Sequence, residues 1–245
     1  MMHRFYPDPD PSRDDLEFLT PEDSRHALTV LRLKAGDQVT VISGGLPFLA
    51  EIVGEEDRIV CVRKHTPLPS AEPKLSVTLF QGIPKADKMD WIVQKATELG
   101  VSRIVPVAMT RCVAKLSPAD CDRKLERWRK IVREAGKQSG RCVLPEVLPP
   151  VSVEQLLCRE DLPSLNVVPW EVAEGFGPLA LHRAHPEADS LGILIGPEGG
   201  ITYDEIAALQ TKGFLPITLG KRILRTETAG LAALSALMSL YGEME

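Results

Sequence analysis

The sequence predicts an α/β protein in two parts: a small β-rich N-terminal domain and a larger domain built on a mostly parallel sheet. Three observations carry this. The first seventy residues hold short β-branched runs set apart by turn residues. Pro67-Leu-Pro-Ser-Ala-Glu-Pro73 then breaks the pattern. Beyond it, strands alternate with helices, the arrangement that covers both faces of a parallel sheet.

In the first part, Pro21–Lys34 reads as a short helix, with Thr20 as cap ahead of Pro21 at the first helical position. Val39-Thr-Val-Ile42, Leu49-Ala-Glu-Ile-Val53 and Arg58-Ile-Val-Cys-Val62 follow as strands, divided by Gly36-Asp37, Gly44-Gly45 and Glu55-Glu-Asp57. Their spacing suits a small antiparallel barrel. The proline-rich break sets the domains at residues 1–72 and 73–245. In the second, Leu75–Gln81 reads as a buried strand. Asp87–Leu99 has helical periodicity through Met89, Ile92, Val93, Ala96 and Leu99, closed by Gly100. Arg103–Ala108 is the next strand and Pro118–Gln138 a basic helix. Strands recur at Leu165–Val168, Leu191–Ile195 and Pro216–Leu219, and helices at Tyr203–Thr211 and Thr226–Tyr241. The last helix is apolar around most of its circumference, so it must be buried in the fold or against another subunit.

Composition excludes several classes. The 245 residues are 44% hydrophobic and 26% charged, ordinary for a globular protein. No apolar run approaches the roughly 18 residues that span a bilayer, and acids and prolines stand where a signal peptide needs an apolar core. Five cysteines, odd in number and without a Cys-x-x-Cys pair, point to reduced thiols rather than disulfides or zinc. His182 and His185 lack a third ligand of suitable spacing, so no metal is expected. The expectation is a cytoplasmic, metal-free protein off the membrane. Net charge is −5, yet residues 111–141 carry ten basic side chains against four acidic ones. Such a segment is either a phosphate-binding surface or the solvated face of an amphipathic helix.

Two loops concentrate the chemistry. A buried strand runs into Gly196-Pro197-Glu198-Gly199-Gly200, and a helix begins near Thr202. Bare backbone at a strand's carboxyl end can approach a ligand closely. The loop has neither the dinucleotide Gly-x-Gly-x-x-Gly spacing nor a phosphate-loop Gly-Lys-Ser/Thr, which makes a nucleotide-dependent oxidoreductase remote. The second loop, Leu219-Gly-Lys-Arg-Ile-Leu-Arg-Thr-Glu-Thr-Ala229, also leaves a strand and enters a helix. Thr226 is a natural cap there and Glu227 suits the helix dipole. Lys221, Arg222 and Arg225 oppose that dipole, a cost that a site meeting an anion tolerates.

Gly196-Pro-Glu-Gly-Gly followed by Leu219-Gly-x-x-Ile-Leu-Arg-Thr-Glu-Thr-Ala resembles the trefoil-knotted SPOUT methyltransferases, and within them the ribosomal RNA small subunit methyltransferase E family. Further motifs agree across nearly the whole chain: Arg4-Phe-Tyr, His26…Val30-Leu-Arg32…Gly36-Asp37, Lys88-Met-Asp-Trp-Ile-Val-Gln-Lys-Ala-Thr-Glu-Leu-Gly100, Arg111-Cys, and Trp128…Glu134-Ala…Gln138-Ser-Gly-Arg141. The resemblance implies a PUA-like RNA-binding domain over 1–72 and a SPOUT domain with a deep C-terminal knot over 73–245. It implies S-adenosyl-L-methionine held by Ile195, Gly196, Pro197, Glu198, Gly199, Gly200, Leu219, Gly220, Ile223, Leu224, Arg225 and Thr226, with Glu171 of Val168-Pro-Trp-Glu171 approaching from a third loop. It further implies a homodimer that makes N3-methyluridine in small-subunit ribosomal RNA, free or assembled. RNA contacts are expected from Arg4, His26, Arg32, Arg111, Lys115, Lys137, Gln138, Ser139 and Arg141. Many relatives carry Glu where this chain has Lys137, so an acid at 137 is not its essential base, and the lysine adds to the phosphate-facing charge.

Uracil N3 becomes a good nucleophile only on losing its proton, which places charge on the flanking carbonyl oxygens. A guanidinium stabilises that charge. Arg225 or Arg141 is the candidate, with Arg4 contributing; Glu198 is a candidate base, although a structural role competes. The same fold acting on transfer RNA or large-subunit ribosomal RNA, or serving as a non-catalytic assembly factor, remains the alternative.

Overall fold

The structure, a computed structural model, describes residues 2–7, 16–113 and 117–245. It divides into two compact units, one formed by residues of 1–72 together with 136–143, the other by 73–135 and 144–245.

The first unit holds β1 (Arg4–Phe5), β2 (Leu16–Phe18), α1 (Pro21–Arg25), β3 (Gln38–Ser43), β4 (Leu46–Glu56) and β5 (Ile59–Pro67). The sheet order is β1-β3-β4-β5-β2, parallel between β1 and β3 and antiparallel elsewhere. The two-residue Gly44-Gly45 turn joins β3 to β4, as such pairs do in tight hairpins. Inward-facing Val39, Val41, Ala50, Ile52, Val60 and Val62 bury a core with Phe5 and Leu19. Thr20 caps α1, accepting from the Asp23 N–H at 3.2 Å. The helix expected through Lys34 is shorter. After α1 the chain widens into a π-helical turn over His26–Val30, and Arg32 leaves the helical region at φ 56°. Neither β1 nor β2 is among the strands that the sequence predicts.

The second unit is a parallel sheet with helices on both faces. Its strands are β6 (Ser76–Gly82), β7 (Arg103–Ala108), β8 (Glu146–Val147), β9 (Val151–Ser152), β10 (Leu165–Pro169), β11 (Ser190–Ile195) and β12 (Phe214–Ile217). Its helices are α2 (Lys88–Glu98), α3 (Pro118–Ser139), α4 (Val153–Leu157), α5 (Pro178–Ala184), α6 (Tyr203–Thr211) and α7 (Thr226–Leu240). The order is β12-β10-β11-β6-β7-β8, with β9 also on β7, and every pair is parallel. Alternate residues serve opposite faces. Val77, Leu79, Leu191, Ile193 and Ile195 join Ile92, Trp128, Leu181 and Leu234 in one core, while Phe80, Leu194, Val168 and Val105 join Ile206, Leu209 and Phe214 in the other.

The basic helix α3 is amphipathic. Leu125, Trp128 and Val132 are buried, and the Trp128 indole N–H donates to Asp90 at 3.1 Å. Arg123, Arg127, Arg129 and Lys130 face outward. Helix α7 buries Ala233, Leu234, Leu237 and Met238, whereas Leu231, Ala232 and Ala236 are only half covered. Ala232 and Ala236 border an apolar hollow of about 450 Å³ with Leu179 and Leu219.

Candidate cofactor and methyl-transfer site

Strands β6, β10 and β11 end side by side, at Gly82, Pro169 and Ile195, and a cavity of about 430 Å³ opens there. Gly196–Gly200 forms one wall, and Ile223, Leu224, Arg225 and Thr226 form another, with Glu171 at its edge. Leu219 and Gly220 line a smaller recess of about 120 Å³ that shares Glu171, Ile223 and Leu224 with the first. The predicted cofactor residues are thus brought together from three segments.

Hydrogen bonds hold the two loops in register. The Thr226 hydroxyl donates to the Gly196 carbonyl at 2.7 Å and accepts from the Gln81 amide at 2.9 Å. Thr226 is therefore not the cap expected of it: Arg225 occupies that position with extended backbone, and the threonine hydroxyl bridges the loops instead. Gly200 takes φ +75°, a left-handed conformation, and a Cβ there would lie 3.2 Å from Glu171 Oε1. On the outer side the Arg111 guanidinium donates to the Gly199 carbonyl at 3.1 Å.

Charge is concentrated at the cavity's rim. The Lys88 ammonium lies 3.0 Å from Glu198 Oε1 and 3.0 Å from Glu227 Oε2. Partial burial pushes the Glu198 carboxyl up, but the hydrogen bond from Lys88 and those from backbone N–H groups, including Lys85, outweigh it and hold Glu198 below the usual carboxylate range. Those carboxylates in turn raise Lys88, Glu198 first. A carboxylate so stabilised is a weak proton acceptor, which argues against Glu198 as base.

Residues 71–238 match the RNA methyltransferase domain model and 19–64 the RNA methyltransferase PUA domain model. Over 225 residues the chain is 37% identical to the ribosomal RNA small subunit methyltransferase E of Bacillus subtilis (strain 168), covering 89% of this chain and 88% of that one. The chain belongs to the ribosomal RNA small subunit methyltransferase E family. Among solved structures it resembles the methyltransferase E of Neisseria gonorrhoeae bound to S-adenosyl methionine, with a TM-score of 0.87, 34% identity and full coverage of both chains. It also resembles a Legionella pneumophila protein in complex with the bound cofactor SAM, with a TM-score of 0.84, 33% identity and 98% of each chain covered.

In this methyltransferase E chain the cavity fits such a cofactor. Its volume falls within the roughly 300–1,000 Å³ of small-molecule sites. Ile195, Ile223 and Leu224 offer apolar surface, Gly200 keeps the wall free of a side chain, and the Glu171 carboxylate suits a cation.

The expected RNA residues fall in several places. His26, Arg32 and Gln138 are exposed in the first unit, and Ser139 is half covered. Lys115 lies outside the described residues. Lys137 does not extend the phosphate-facing charge as expected: its ammonium is 2.6 Å from buried Asp23. Arg141 is 4% exposed, with Nε and Nη2 on the Glu72 carboxylate at 3.0 and 2.9 Å, and that carboxylate also accepts from the Cys142 and Val143 N–H groups. Arg4 packs its guanidinium against Gly140, its Nε buried without a hydrogen bond. Lys88, Gln81 and Gly82 escaped the sequence reading as site residues. For Lys88 a signal existed: a cation at the first residue of a helix opposes the dipole, as at Arg225.

Proposed function

We propose that this chain transfers the methyl group of S-adenosyl-L-methionine to N3 of a uridine in small-subunit ribosomal RNA. One observation carries the reading: two glycine-bearing loops from the ends of parallel strands, tied by Thr226 and Gly196, wall a cavity whose rim presents Arg225. When bound, the cofactor supplies an electrophilic sulfonium methyl, so the protein's task is positioning and exclusion of water.

Arg225 takes the charge-stabilising role. It lines the cavity, is exposed, and stands at the positive end of α7, where an anion forming on the uracil carbonyl oxygens is stabilised by guanidinium and helix together. Arg141 is a structural residue, because its guanidinium is committed to Glu72. Glu171 holds positive charge at the cavity edge, and Ile223 and Leu224 exclude water.

The five-stranded sheet of the first unit closes as a PUA-like barrel that grips RNA through His26, Arg32 and Gln138. The loops at 196–200 and 219–226 belong to a deep trefoil knot. Supporting these readings are the domain matches at 19–64 and 71–238. Two copies pair through the hollow bordered by Ala232 and Ala236, an apolar surface of the kind that marks an interface. A ribosomal RNA substrate supports a cytoplasmic location.

The test is methyl transfer from labelled S-adenosylmethionine to unmodified small subunits and, separately, to bulk transfer RNA, with mass spectrometry of the digested nucleosides. Labelled 3-methyluridine from the small subunit is the expected product. Label only in transfer RNA would move the substrate, and failure to bind the cofactor would reject the enzyme.

A further inference from the structure

We propose that Lys88 is a positioning residue that presets the Gly196–Gly200 loop, by clamping Glu198 of that loop to Glu227 of α7; the consequence for the cofactor rests on the function proposed above. The clamp is drawn from three separate segments. Lys88 opens α2, Glu198 sits mid-loop between β11 and α6, and Glu227 lies in the first turn of α7. One ammonium is 3.0 Å from an oxygen of each carboxylate, so those oxygens lie no farther apart than twice that distance.

Two carboxylates that close repel unless a cation stands between them. Lysine at the first helical residue also works against the dipole of α2. A local helix rule would not choose it, and Glu227 alone already suits the dipole of α7. What the lysine adds is a tie between the two walls of the cavity, which it also lines. The ties have a direction. Glu198 is anchored by Lys88 and by the Lys85 N–H, while Thr226 holds Gly196 from the α7 side. The loop is gripped at Gly196 and at Glu198, and of these two grips the one through Lys88 is ionic. Backbone held in place before a ligand arrives lowers the ordering cost of binding.

The experiment compares the intact chain with Lys88→Gln and Lys88→Arg. Calorimetry with S-adenosylmethionine is expected to give a Kd about tenfold weaker in Lys88→Gln and within threefold of the parent in Lys88→Arg. Methyl transfer should divide the same way, KM for cofactor rising while kcat at saturation stays within threefold. Melting temperatures of the ligand-free proteins should agree within about 3 °C. Unchanged affinity in Lys88→Gln overturns the proposal, as does a loss of binding that follows a lower melting temperature and is not restored by arginine. Amide exchange across 196–200 in ligand-free protein separates this from the function proposed above. If the parent binds no cofactor that function fails, yet faster exchange confined to this segment in Lys88→Gln still supports the clamp, and equal exchange sinks it.

Discussion

Arg225 concentrates the chemistry in one side chain. Its removal should leave the cavity intact, because the loops are tied by Thr226 and Lys88 rather than by the guanidinium. Arg225→Ala is therefore expected to lower kcat by about 10²–10³, the usual worth of a preorganised stabiliser of developing charge, while cofactor affinity stays within threefold. Single-turnover transfer beside equilibrium binding checks this. Thr226 makes the opposite prediction. Thr226→Val keeps the shape but deprives the Gly196 carbonyl of its donor and the buried Gln81 amide of an acceptor. Stability should fall by about 1–3 kcal/mol, read in urea unfolding, and cofactor affinity should fall with it. At this scale the sequence was a partial guide. A threonine before a helix reads as a cap because capping is local, whereas the partner it serves is 30 residues away in the chain. Arg141 likewise reads as a free cation until Glu72 is seen to occupy it.

Strands and helices were more readable than side-chain roles, because apolar alternation and glycine punctuation are local. The unbroken burial of β6 and β11 follows from a sheet covered on both faces, and both helices expected beyond residue 140 are present, as α6 and α7. What local pattern lacked was the widening at His26–Val30, where Arg32 takes φ 56° without glycine to signal it. Close approach between elements was equally hidden. Gly82 ends β6 without lining the cavity, yet a Cβ there would lie 2.7 Å from the Pro197 backbone nitrogen. Backbone cannot step aside as a side-chain tip can, so Gly82→Ala should push the 196–200 loop outward. A loss of about 1–3 kcal/mol in stability is expected, with at least tenfold weaker cofactor binding by calorimetry.

For the whole molecule, the distribution of charge mattered more than its sum. The net −5 conceals the outward basic face of α3: the helix is amphipathic, and its solvent face is cationic. If pairing through the hollow beside Ala236 is correct, light scattering should find twice the chain mass for the parent and one chain mass for Ala236→Glu, since a buried unpaired carboxylate is strongly unfavourable. The first unit carries its own pH dependence. Burial raises the Glu72 carboxyl, but Arg141 and the Cys142 and Val143 N–H groups overcome this and hold it below its ordinary value. A carboxyl depressed by folding contributes its stabilisation above the unfolded-state value, near 4.3 for glutamate, and loses it as pH falls through the lower folded value. Protection of the Cys142 and Val143 amides, corrected for intrinsic exchange, should thus be flat from pH 7 to about 5 and collapse below about 4.

That same carboxylate has a bearing on synthesis. Glu72 closes the first contiguous stretch of its unit, but its partners Arg141, Cys142 and Val143 are translated about seventy residues later. A nascent chain that has emerged only as far as Glu72 holds a sheet without its latch, and the strand order of the second unit is begun before the first unit is complete. The two units are consequently interleaved in the gene, and a fragment cut at the proline-rich stretch leaves Glu72 facing none of the groups that satisfy it.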